Sequence, residues 1–145
     1  MNTSEHQRLA KRLGYAGLLP FVIALMMHVS HIKLLGQPET LFLSYSVVIA
    51  SFLSGTLWRS ADKNNATQVK LTLYVSNGMA LGAWAGWLLL PWNRHLALLL
   101  LIMVYVGIRW FEQTYLLAQL APEYQQLRQH LTLIVVTCHL LLWAL

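Results

Sequence analysis

The chain has 145 residues, of which 57% are hydrophobic and 10% charged, with a formal net charge of +5. Soluble domains carry about a quarter charged residues and under half apolar ones, so a soluble globular fold is excluded. The apolar residues come in long blocks and mean hydropathy is +0.54, the pattern of an integral membrane protein. The ten Lys and Arg are scattered and never interleave with aromatics in a patch, so nucleic acid is not an expected partner.

Five segments qualify as spans, at about 13–32, 41–58, 71–92, 96–118 and 130–145. At about 1.5 Å per residue each approaches the roughly 30 Å hydrocarbon core. The first follows MNTSEHQRLAKR, lacks an A-x-A cleavage signal and contains Pro20, so it is expected to be a retained helix. The turn Gly36-Gln37-Pro38 closes it. The second ends at Trp58 and Arg59, before the polar loop SADKNNATQ. The third ends at Pro91-Trp92-Asn93-Arg94, and Ala121-Pro122 separates the fourth from the fifth. The fifth, at about 24 Å, is marginal. Barrel strands would alternate, and runs such as LALLLLIMVYVGI do not. One all-α bundle of five membrane helices follows, with loops too short for a second domain.

Positive charge orients the bundle. With the N-terminus in the cytoplasm, Arg8, Lys11, Arg12, Arg59, Lys63, Lys70 and Arg128 fall inside, against Lys33 and Arg94 outside. Five spans then place the C-terminus outside. Trp58, Trp92 and Trp143 fall near helix ends, where indole rings prefer the interface.

In the third span Gly78, Gly82 and Gly86 recur every four residues, a spacing that lets another helix approach closely. Ser51 and Gly55 in the second make a shorter pair of the same kind. Both are read as helix-packing seams. The middle glycine, Gly82, is expected at a crossing where another backbone comes close.

Arg109 and Glu112 are opposite charges inside the fourth span, spaced i, i+3 and able to pair. By helical rise, Asn77, Ser51 and Tyr15 lie at similar depth. These five side chains on four helices are expected to form a polar layer in the inner half of the membrane, since polar groups need partners in lipid. Ser44, Ser46, Ser51 and Ser54 are read as interhelical donors rather than nucleophiles.

His28, His31, His95 and His139 raise a metal, haem or quinone alternative near the outer face. No C-x-x-C-H and no H-x-x-x-H fixes a ligating geometry, and the lone Cys138 supplies no thiolate pair. The histidines are therefore read as polar end-groups, with no cofactor called for. No G-x-S-x-G, P-loop or zincin motif is present, so the chain is expected not to be an enzyme.

The strings LGYAGLLPF at 13–21, YSVVIASFLSGTLW at 45–58 and EYQQLRQHLT at 123–132 resemble a family of small bacterial inner-membrane proteins. It is the family of domain of unknown function 3429, related to transmembrane protein 69. In that family the second motif reads SFxGGxxWG; here Ser54 stands at the first glycine and Arg59 follows Trp58. The resemblance implies a multi-pass protein of the inner membrane and transfers no catalytic residue. The expected function is that of a non-enzymatic accessory or assembly subunit, packing against itself or other membrane subunits in the bilayer. A small oligomeric transporter or channel built on the polar layer is the alternative.

Overall fold

The computed structural model describes residues 3–33 and 36–145, with side chains for all of these except 3, 4, 6 and 7. The described residues form six α-helices: α1 (Thr3–Ala16), α2 (Leu19–Val29), α3 (Pro38–Arg59), α4 (Ala66–Leu89), α5 (Arg94–Tyr115) and α6 (Pro122–Ala144). A 3₁₀ turn at Leu117–Gln119 joins the last two. Since α1 runs on into α2, the bundle is built of five rods. Among the described residues four stretches are long and apolar enough to cross a membrane: Arg8–Val29, Pro38–Arg59, Arg94–Tyr115 and Pro122–Ala144. This is a multi-pass membrane protein. At 24 residues α4 has the length to cross but not the hydropathy.

Local chemistry sets the helix ends. Pro38 and Pro122 open α3 and α6 at their first turns, where a missing N–H costs nothing. Asn65 and Asn93 cap α4 and α5, each side-chain oxygen accepting a backbone N–H three residues on, at 3.0 Å. At the end of α2, His31 takes the left-handed conformation (φ 55°) usually filled by glycine. Its N–H reaches the His28 carbonyl and that of Ile32 the Met27 carbonyl, closing a Schellman motif.

The first span differs from the continuous helix expected from the sequence. It breaks at Gly17 and Leu18, because Pro20 has no N–H to offer the Ala16 carbonyl. The Tyr45 hydroxyl of α3 donates to the Gly17 carbonyl at 2.9 Å, so the break is tied to the neighbouring helix. The last helix is also longer than the expected 130–145, since its polar start at Pro122 folds as helix.

α3 and α5 touch each other and separate α4 on one side from α2 and α6 on the other. The core is apolar along α5 (Ala97, Leu98, Leu101, Val104, Ile108, Phe111) and aromatic where α2, α3 and α6 meet it. Phe21 and Phe42 pack edge to face at 5.1 Å, and Phe42 lies 4.8 Å from the His139 ring. Several hydroxyls within the helices bond to their own backbone. Ser44, Ser54 and Thr56 of α3 donate back to carbonyls one turn earlier.

Candidate functional site

The densest buried chemistry lies where the C-terminal end of α5 meets the N-terminal half of α6. Glu112 is 2% exposed and Arg128 4%, and Arg109 is buried beside them. Arg128 donates from Nε (3.2 Å) and Nη2 (2.7 Å) to a single oxygen, Glu112 Oε1. Arg109 Nη1 faces the other oxygen, Oε2, at 3.5 Å, without a hydrogen bond between them. The rest of the Arg109 fork reaches α6, from Nε to Gln129 Oε1 at 2.9 Å and from Nη2 to the Gln125 carbonyl at 3.3 Å. Gln125 in turn donates to the carbonyls of Leu117 and Leu120, fixing the turn between the two helices. Two cations share one anion, so the cluster carries a net positive charge inside the bundle.

Arg109 and Glu112 thus pair as their spacing predicts, but the rest of the expected polar layer is not brought to them. Asn77 is exposed on α4 and donates to its own Leu73 carbonyl at 2.9 Å. Ser51 is half-buried in α3, and Tyr15 is exposed on α1. Depth along a helix follows from rise alone; direction around it does not. Arg128, which the sequence offers only as an orienting charge, completes the cluster. The string EYQQLRQHLT around it is compatible with a helix, but nothing in it shows burial before a partner helix is in view.

A second polar group lies deeper. His139 is fully buried, and Ser46 and Tyr105 with it. The Val135 carbonyl can only accept, so His139 Nδ1 carries the proton of that 2.8 Å bond. In the neutral ring Nε2 then accepts from the Ser46 hydroxyl, also at 2.8 Å. Tyr105 Oη donates to the Ser46 carbonyl at 2.9 Å, which leaves each member with a partner. Of the four serines read as interhelical donors, Ser46 bonds across helices through its hydroxyl, while Ser44 and Ser54 bond within α3.

His28, His31 and His95 lie apart from His139. His28 Nδ1 is 3.8 Å from Glu39, which Arg94 holds at 2.6 Å while also donating to the Leu142 carbonyl. His95 lies against Trp143, with ring centroids 5.0 Å apart, and His31 is the exposed cap of α2. Among the described residues no three of His, Cys, Asp or Glu gather as metal ligands would.

The glycine series divides. A side chain on Gly86 would meet Leu101 at 3.2 Å and the Ala97 carbonyl at 3.4 Å, so here the α5 backbone comes close. Gly82 faces the Val104 side chain at 3.2 Å, so the close backbone approach expected there falls one turn later. Gly78 and Gly55 have no atom within 4 Å of the position a Cβ would take. On α4 Gly78 belongs to an exposed stripe with Tyr74, Asn77, Leu81 and Trp84, spaced as one helix face.

Residues 6–144 match the family described as "Protein of unknown function (DUF3429)". The chain belongs to this family. The match takes in all five rods, the charge cluster and the α4 stripe. No curated protein and no solved structure matches the chain.

Proposed function

We propose that this DUF3429 protein is a non-enzymatic subunit of the bacterial inner membrane that works by offering α4 to a helix of another membrane subunit. In this reading it crosses the bilayer five times, with its N-terminus in the cytoplasm and its C-terminus outside. The observation that carries it is the outward face of α4. Tyr74 is 79% exposed there, and exposed Asn77 and Gly78 lie one turn deeper. A carboxamide facing lipid is expensive, because hydrocarbon supplies no partner for its oxygen. A glycine with open space around it is the opposite of costly when a second helix arrives, since small residues let backbones approach. Asn77 and Gly78 together, flanked by Leu81 and Trp84, are suited to such a contact. They also explain why α4, alone of the five rods, falls short of the hydropathy of a lipid-facing span.

The test separates assembly from folding. Gly78→Leu places its side chain where the isolated chain has no neighbouring atom, so the monomer should melt as wild type does. The assembly purified in mild detergent at native expression should be lost, as read by native mass spectrometry. A wild-type protein that runs as a bare monomer with no co-purifying subunit would overturn the proposal.

A further inference from the structure

A cleft of about 390 Å³ opens between α1, α3 and α6, within the size range of small-molecule sites. Its walls are mostly apolar, among them Leu18, Phe21, Leu53, Leu131 and Val135. Leu13 and Phe52 also line it and are 63% and 67% exposed, so its mouth opens sideways, where the bilayer lies. Polar groups stand at the end nearer the start of α6: Tyr124, Arg128, Thr132 and, from α3, Thr56. Arg128 is more than nine-tenths buried, and Glu112 takes its Nε and Nη2. Among the described residues no hydrogen bond uses its Nη1. Among the described residues the only acid paired with either buried arginine is Glu112, so one positive charge of the cluster has no counter-ion there. On α1, one wall of the cleft, Arg8, Lys11 and Arg12 are exposed, on the helix face turned away from its lining.

We propose that this cleft binds one acyl chain of an anionic phospholipid, whose phosphate takes the free donor of Arg128. The layout matches the ligand from end to end. The donor sits near the helix ends, where headgroups lie, and the apolar wall deepens toward Phe21 and Val135 at mid-bundle, where chains lie. The phosphate supplies the missing negative charge by a charge-assisted hydrogen bond to a guanidinium, in surroundings that screen it little. The basic face of α1 adds attraction for anionic lipid over zwitterionic lipid. This site is separate from the α4 stripe, so either proposal stands without the other.

Native mass spectrometry of the full chain in mild detergent tests it, with phosphatidylglycerol, phosphatidylcholine, oleate or inorganic phosphate added separately. One phosphatidylglycerol should be retained, with an affinity about tenfold or more above phosphatidylcholine, whose phosphate is the same but whose choline cation cancels the net negative charge that the cluster and α1 attract. Arg128→Gln should weaken phosphatidylglycerol binding about tenfold and leave only the part of the preference that α1 supplies. Since this change also leaves Glu112 without its main partner, Thr132→Trp serves as the second variant. It fills the cleft, leaves the charge cluster intact, and should weaken phosphatidylglycerol binding by a similar factor. Equal retention of phosphatidylcholine overturns the proposal, as does oleate or inorganic phosphate bound in place of the phospholipid. A Thr132→Trp protein that holds phosphatidylglycerol like wild type overturns it as well.

Discussion

Glu112 is a single negative charge between two guanidinium groups, and both arginines are buried with it. Glu112→Gln would leave two cations in the bundle without a counter-ion. Breaking a buried pair from one side costs about 3–5 kcal/mol, so the variant should lose most of its thermal stability in detergent. Wild-type melting would show instead that Arg109 and Arg128 reach water. Ser46 bears a smaller load. Ser46→Ala removes the donor to His139 Nε2, and interhelical hydrogen bonds in membranes are modest, so about 1 kcal/mol is expected. A loss several times larger would mean that Ser46 organises more than this one bond. At this scale the sequence was legible for Arg109 and Glu112, because i, i+3 pairing is local to one helix. It was not legible for Arg128 or for the Ser46–His139 bond. Those contacts join segments 16 and 93 residues apart, and their geometry depends on how whole helices turn toward each other.

The glycines of α4 show how far a helical period can be trusted. Each four-residue step overshoots a turn by about 40°, so over two steps a residue rotates well off the starting face. Gly86 and Gly82 therefore meet α5, and Gly78 has turned out toward the surface. Gly86→Leu would press on the Leu101 side chain and the Ala97 carbonyl, and backbone cannot step aside as a side chain can. It should destabilise the isolated chain by about 1–3 kcal/mol. The thermal melt of Gly86→Leu beside that of Gly78→Leu reads this directly; equal melts would remove the distinction between the two faces. The break between α1 and α2 is a different case of local chemistry. Pro20 announced it, but a proline in an apolar run is compatible with a kinked helix or with a break. Here Tyr45, supplied by another element, stabilises the break.

At the scale of the whole molecule, charge and burial bear on orientation together. Arg128 is buried within α6, so it leaves the loop count, yet Arg8, Lys11, Arg12, Arg59, Lys63 and Lys70 still outweigh Lys33 and Arg94. On the positive-inside rule a C-terminal alkaline phosphatase fusion should be active and a C-terminal fluorescent protein fusion dark. The reverse pair of signals would invert the topology or remove a span. Helix number and approximate limits were readable because hydrocarbon thickness fixes segment length. The polar start of α6 was not, since nothing in PEYQQLRQH suggests burial until a partner helix is in view.

That polar start has a consequence for how the protein is made. α6 carries Arg128 and His139, and their partners Glu112 and Ser46 lie on helices synthesised before it. Emerging from the ribosome, α6 meets partner helices made before it, and only there does its arginine gain a carboxylate. The order of the chain thus doubles as an order of biogenesis, in which the earlier helices act as a template for α6.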